Sequence, residues 1–460
     1  MLQGTLGLAD GTAADVHPLL YYTLLWAWML FVGQQVIAVR FLSVLIHLAL
    51  LILIWYLMEE MFGLKQAVLA GLLFSFAPFQ VHYGQEARMY GLLSLWLVFA
   101  TLCVWRGIQG GRYVPWVAFG VFAALAMYTH VLAVFYLIPL WLSPLYFRKL
   151  RLFRSALLSA LTAIVLYLPW GLQLPAQVAK VERAYWIMKP TLVDLVQTVL
   201  SFISGLPIHA SWLPVTLFCA LLVIVFAGVI TFRAVRERDP QAERAIWLIY
   251  LSAAPVLLLF FVSQLRPLFI VRGLVPSGVI FLLWLAWVIA PREGRRVESF
   301  LIIGCLALAF TIGLFSRATY QGFPYAPFEN VNDYITSELD EGGVVLHSNK
   351  ITMLPSYYYD ESLPHTYIAD PPGAGSDTLA LPTQEVLGLI AQPDARRAVV
   401  DAQQVFFVMF GREIGDYDAL GAIKHPHLSW LEEHYSLVEQ TAWDDLSLYR
   451  FESCENVNQD

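Results

Sequence analysis

The chain has 460 residues, of which 58% are hydrophobic and 14% charged, and its mean hydropathy is +0.63. Soluble domains carry roughly a quarter charged residues, so this composition excludes an ordinary soluble protein and predicts an integral membrane protein. The formal net charge of -7 argues against a nucleic-acid partner.

The first 15 residues lack a positive n-region and a long apolar core, so no cleavable signal peptide is predicted. Residues 18–32, PLLYYTLLWAWMLFV, are short for a span and rich in Trp and Tyr. They read as a helix lying at the membrane interface. Apolar runs near 20 residues long predict about ten transmembrane helices, at roughly 37–58, 65–84, 87–106, 113–129, 131–147, 155–174, 211–232, 246–264, 268–290 and 298–316. A single long helix is the alternative for 113–147, but it conflicts with the charge pattern.

That pattern comes from Lys65; Arg106 and Arg112; Arg148, Lys149, Arg151 and Arg154; Arg233, Arg236, Arg238 and Arg244; and Arg292, Arg295 and Arg296. All of these fall in alternate loops, which predicts those loops to be cytoplasmic. The other loops are then expected outside: residues 1–35, 82–90, the turn at Thr129-His130, 175–210, 265–272 and everything after 317. The expected location is the plasma (inner) membrane, multi-pass, with membrane lipids as partners.

The tail has soluble composition. Runs at 343–348, 404–410 and 446–451 predict strands, and stretches near 328–340 and 383–397 predict helices. The expected layout is a transmembrane domain over 1–317 and a small α/β domain on the outer face over 318–460. Tyr357, Tyr358, Tyr359 and His347 could touch substrate, or simply pack the domain. Cys103, Cys219 and Cys305 lie in apolar runs and Cys454 near the C-terminus. With no C-x-x-C pair, neither a disulfide framework nor a zinc site is predicted.

Ionisable residues at the edge of a membrane are costly and point to function. On the expected outer side these are Asp15 and His17 (ADVHPLLYY), Glu86 and Arg88 (YGQEARMY, with Tyr90), His130 (YTHV), and Arg266 and Arg272 (QLRPLFIVRGL). A carboxylate can take a proton from a hydroxyl nucleophile, a guanidinium can grip a phosphate, and a His can bind an anion or a metal. Together they suit transfer from a lipid phosphate. Singly, each has a plainer explanation. Glu86 and Arg88 are two apart and do not face each other on one helix, Arg266 could snorkel to head groups, and His130 could satisfy a backbone carbonyl. His17-Pro18 could mark a helix start, and Asp15 could be a solvated loop acid.

DVHPLLYY, PFQVHYGQEARMYGLL, YTHVLAVFYL and FIVRGLVPSG resemble the GT-C class of membrane glycosyltransferases. The nearest likeness is to bacterial enzymes related to protein O-mannosyltransferases and the aminoarabinose transferase, over about residues 14–316. The resemblance implies transfer of a sugar from a polyprenyl-phosphate donor to a lipid, glycan or protein acceptor at the outer membrane face, usually with inversion. It places Asp15 and His17 on the Asp-x-His-Pro motif, Glu86 and Arg88 on the motif after the third family helix, and Arg272 on an Arg-Tyr motif. Gly273 and Leu19 depart from that pattern. The family also has a first transmembrane helix and an Asp-Glu pair ahead of the motif, which this chain lacks; a late start or a truncated gene is the expectation.

The expected roles are catalysis by Asp15 and Glu86, and substrate binding by His17, Arg88, Tyr90, His130 and Arg272. No nucleotide is needed at the site, and a divalent metal held by Glu86 and His130 is an option. Acceptor choice is expected to rest on loop 175–210 and on the outer domain; Lys180, Glu182, Arg183, Tyr185 and Trp186 in that loop are candidates, with a solvated amphipathic helix the favoured account of them. The rival readings are a non-catalytic lipid-linked glycan binder or scaffold of the same fold, and a lipid or sugar transporter. A transporter should show repeats or mid-bilayer charge, and the sequence has neither.

Overall fold

A computed structural model describes residues 18–110, 113–173, 189–291, 296–371, 378–379, 381–400, 402–419 and 425–453. The described residues form two compact units that divide between Thr319 and Tyr320.

The first unit is a helical bundle. Its helices are α1 (Leu19–Val32), α2 (Val36–Phe62), α3 (Leu64–Phe76), α4 (Pro78–Gln85), α5 (Tyr90–Gly110), α6 (Tyr113–Thr129) and α7 (Ala133–Tyr146). They continue with α8 (Phe153–Gly171), α9 (Leu192–Ser204), α10 (Leu213–Arg236), α11 (Ala242–Leu265), α12 (Val275–Ile289) and α13 (Arg296–Thr319). Every residue of α12 is buried, because this helix packs against α3, α5 and α11 at the centre of the bundle. At the periphery, α8 exposes Leu157, Leu158, Leu161, Ile164 and Val165. An apolar stripe of this kind is covered by lipid in a polytopic membrane protein.

Among the described residues, seven helices are long and apolar enough to cross a membrane, or up to eight if the bent α3–α4 pair is one span. The sequence predicts about ten, with a helix at each position. The difference lies in length and continuity. Helices α6 and α7 have 17 and 14 residues, and 14 residues rise only about 21 Å at 1.5 Å each. The run predicted as one helix over 65–84 breaks into α3 and α4, bent by 63°. Pro78 opens α4, where its missing N–H costs nothing. Helix α9 lies within the predicted loop 175–210; it opens with a capping box in which the Thr191 amide donates to Asp194 Oδ2 at 2.7 Å.

The second unit contains α14 (Phe328–Glu338), β1 (Gly343–His347), α15 (Lys350–Tyr359), β2 (His365–Tyr367), α16 (Leu381–Leu387), α17 (Ala395–Ala398) and β3 (Gln404–Phe410). It ends with α18 (Arg412–Ala419), α19 (Pro426–His434), β4 (Tyr435–Trp443) and β5 (Leu446–Ser453). The sheet order is β2-β1-β3-β5-β4. Strand β1 runs parallel to β2 and β3, while β5 runs antiparallel to β3 and β4. All seven residues of β3 are buried, as expected of a central strand covered on both faces. The helix expected over 383–397 is instead the two short helices α16 and α17.

His347 is fully buried, with its Nε2 3.0 Å from His365 Nδ1, and the Tyr357 ring packs edge-on against His365. These two residues pack the domain. A second buried polar group lies where β1 and β3 end. Ser348 Oγ donates to Glu413 Oε1 at 2.9 Å, as does the Phe410 amide at 3.3 Å. His425 caps α19 by accepting the Leu428 amide at Nδ1, and its Nε2 lies 3.9 Å from Glu413 Oε2. Burial pushes the Glu413 carboxyl up to about 7 and the His425 imidazole down to about 3.

Candidate active site

The break after α4 creates the site. Gln85 ends that helix, Glu86 is extended, and α5 resumes at Tyr90. The Arg88 amide donates to the Glu86 carbonyl oxygen at 2.7 Å, closing a tight turn. Ser43 Oγ of α2 donates to the same oxygen at 2.8 Å, and Tyr21 Oη of α1 lies 3.5 Å from Ser43 Oγ. Helix α1 is itself tied to α2, because Trp28 Nε1 donates to the Ala38 carbonyl at 2.8 Å.

Two glycines flank the turn, and both lie against His47 of α2. A Cβ on Gly84 would lie 2.9 Å from the His47 ring, and one on Gly91 would lie 3.2 Å from it. The ring stacks on Phe74 with centroids 5.1 Å apart. His47 is therefore a wedge between the two ends of the turn that carries Glu86 and Arg88.

Glu86 is the focus of the charges. It is half-buried, and its Oε2 is buried with no hydrogen bond among the described residues. Burial raises its carboxyl above the usual range; the guanidinium groups of Arg88, Arg272, Arg317 and Arg40 pull it back down, in that order. These cations come from the turn itself, from the 3₁₀ turn Val271–Leu274 ahead of α12, from the end of α13 and from the start of α2. They converge at one end of the bundle. The Arg317 guanidinium also contacts His82 Nδ1. An aromatic wall adjoins the turn, formed by His82 on Tyr83, Tyr83 on Tyr90 and Tyr90 on His130, with centroids 4.6, 5.2 and 5.9 Å apart.

Of the residues singled out in the sequence, Glu86, Arg88, Tyr90, His130 and Arg272 gather here. Asp15 and His17 lie outside the described residues, as do Lys180, Glu182, Arg183, Tyr185 and Trp186. Arg266 is exposed at the end of α11 and is not among the charges acting on Glu86. His130 is buried, and its Nδ1 accepts the Leu132 amide at 3.1 Å, which fixes the α6–α7 turn. For the metal option, no group of three or more His, Cys, Asp or Glu side chains suited to a metal occurs among the described residues. Gly273, which departs from the resembled motif, packs against Leu132: a Cβ there would lie 2.7 Å from Leu132 Cδ1.

Arg40, Arg317, His82, Ser43 and His47 were not singled out in the sequence. Arg317 ends an apolar run and Arg40 lies near the start of one, where a cation reads as a flanking charge. Only tertiary packing shows that they face Glu86.

Residues 16–172 match the family model described as dolichyl-phosphate-mannose-protein mannosyltransferase. No curated protein matches the chain by sequence. The crystal structure of ArnT from Cupriavidus metallidurans in the apo state is similar in fold, with a TM-score of 0.58 and 14% identity over 94% of this chain and 87% of that one. The same protein bound to undecaprenyl phosphate gives a TM-score of 0.56 and 13% identity, over 96% of this chain and 92% of that one. The chain thus has an ArnT-like fold, a polytopic helical bundle with a small sheet domain. Its residues 16–172 are similar to the mannosyltransferase family, and its fold is similar to that of ArnT.

Proposed function

We propose that the protein moves a sugar from a polyprenyl-phosphate donor to the hydroxyl of a lipid, glycan or protein acceptor, at the outer face of the plasma membrane. The observation that carries this reading is the Glu86 carboxylate, with one buried oxygen that has no hydrogen bond among the described residues, set among Arg88, Arg272, Arg317 and Arg40. The structure of ArnT with undecaprenyl phosphate supports a polyprenyl phosphate as the lipid. The alternating positive loops support the outer-face assignment, with the C-terminal unit on the same side.

In this mechanism Arg272 and Arg88 hold the donor phosphate. The acceptor hydroxyl gives its proton to a carboxylate, either Glu86 or Asp15. Its oxygen then attacks the anomeric carbon, forming the new glycosidic bond. The bond from that carbon to the phosphate oxygen breaks, and the phosphate leaves with the electron pair. Guanidinium groups stabilise the charge that develops on it. Burial of Glu86 favours its protonated form, which makes its carboxylate the stronger base. Tyr90 and His130 supply an aromatic wall for the sugar or the prenyl chain.

The test is turnover of a labelled polyprenyl-phosphate sugar by the full chain in vesicles. Glu86→Gln should abolish turnover while donor binding persists, and Arg272→Ala should weaken donor binding. Wild-type binding of the donor without any turnover would instead support the non-catalytic binder.

A further inference from the structure

The opposite end of α5 carries a second charged feature. Helix α5 has 21 residues, so its far end lies about 30 Å from the Glu86 turn at ~1.5 Å per residue. There the turn between α7 and α8 folds back on it, with Lys149 Nζ donating to the Ile108 carbonyl at 2.8 Å. Arg148 holds a left-handed backbone at φ 54, a conformation that L side chains adopt at a cost. The strained turn and the end of α5 enclose an open cleft of about 580 Å³, lined by Gln109, Arg148, Lys149, Leu150, Arg151 and Leu152.

The cations of this cleft differ from others at the same end of the bundle. Arg106 pairs with Glu60 at 2.7 Å and Arg233 with Glu298 at 2.8 Å. Among the described residues, no carboxylate pairs with Arg148, Lys149 or Arg151. Positive charge is thus concentrated in a concave site with no internal acid to neutralise it. An apolar path begins beside it. Arg154 is exposed on the first turn of α8, and Leu158, Leu161 and Val165 are 54%, 56% and 60% exposed at helical spacing along the same face.

A soluble anion would use the cations and ignore that stripe. A lipid phosphate uses both. We propose that the cleft binds the phosphate head group of an anionic phospholipid, with its acyl chains lying along the Leu158–Leu161–Val165 face of α8. The site is separate from the donor site and pins the α7–α8 turn to the end of α5.

The experiment is native mass spectrometry of the full chain in detergent, titrated with phosphatidylglycerol, phosphatidylcholine and inorganic phosphate. One phosphatidylglycerol should be retained per chain, phosphatidylcholine should not, and inorganic phosphate at equal concentration should not displace the lipid. Loss of two cations in Arg148→Gln/Arg151→Gln should weaken phosphatidylglycerol binding about thirtyfold. Both side chains are exposed, and the bonded Lys149 is left in place, so an unchanged melting temperature without lipid verifies the fold. Arg236→Gln, an exposed cation of α10 outside the cleft, should leave binding unchanged. The proposal is overturned by undiminished binding in the double variant, by an equal loss in Arg236→Gln, or by equal retention of phosphatidylcholine. Displacement by inorganic phosphate would also overturn it, by assigning a soluble-anion site.

Discussion

Ser43 of α2 donates a 2.8 Å hydrogen bond to the backbone carbonyl of Glu86, 43 positions along the chain. A hydroxyl inside an apolar helix ordinarily turns back on its own carbonyl four residues earlier, as Ser94 does to Tyr90 and Thr101 does to Leu97. Ser43 departs from that habit and fixes the turn that carries the proposed base. Ser43→Ala should cost about 1 kcal/mol of stability and lower turnover several-fold while donor affinity holds. Ser43→Thr should recover most of the loss. An unchanged rate in Ser43→Ala, measured with labelled donor, would show that the turn is held by the Arg88 amide alone.

The His47 wedge gives a test by size. Gly84→Ala places a Cβ 2.9 Å from the imidazole, and overpacking of this kind costs about 1–3 kcal/mol. The melting temperature of Gly84→Ala in detergent should fall, and turnover should fall with it as the Glu86 turn shifts. In Gly84→Ala/His47→Ala the clash is gone, so the double variant should be less impaired than the two single losses sum to. Additive losses would place the strain elsewhere.

Much of this site was legible in the sequence because charge stands out in a greasy chain. Glu86, Arg88, His130 and Arg272 are conspicuous for that reason, and the structure gathers all of them. What stayed hidden depends on packing between distant segments. Arg317 lies 231 positions after Glu86 (317 − 86) and reads as the flank of an apolar run. Ser43 and His47 look like ordinary minor residues of a span. In the fold, the helix positions followed from hydropathy, yet the α3–α4 break did not, even though Pro78 was visible, because apolar residues continue on both sides of it. Strand β4 was missed because it is an edge strand whose middle residues are exposed, which leaves little hydrophobic alternation to read.

Arg317 should tune the pH profile. If Glu86 takes the acceptor proton, activity is lost as pH falls through the value at which Glu86 protonates. Burial raises that value, and Arg317 is one of the charges holding it down. Arg317→Gln should therefore move the acid limb of the rate profile to higher pH, while Arg317→Lys should move it much less. An acid limb that stays in place in Arg317→Gln would assign it to another group, with Asp15 the first to test.

The second unit should show its own pH response, set by two buried groups that oppose each other. Glu413 protonates at about 7 when folded against an ordinary 4.5, so folding binds a proton between these values and stability falls as pH rises from 4.5 to 7. His425 stays neutral down to about 3 when folded against an ordinary 6.5, so its contribution is lost as pH falls from 6.5 to 3. The two slopes, each about 1.4 kcal/mol per pH unit, cancel between 4.5 and 6.5. Wild-type protection of the β3 amides against hydrogen exchange in the full chain, corrected for intrinsic rates, should be nearly flat across that window. Glu413→Gln removes one slope, so protection should rise with pH up to 6.5 and then level off. His425→Gln removes the other, so protection should fall from 4.5 to 7. The opposite directions of the two variants are diagnostic, because a general loss of packing would lower both curves without tilting them against each other.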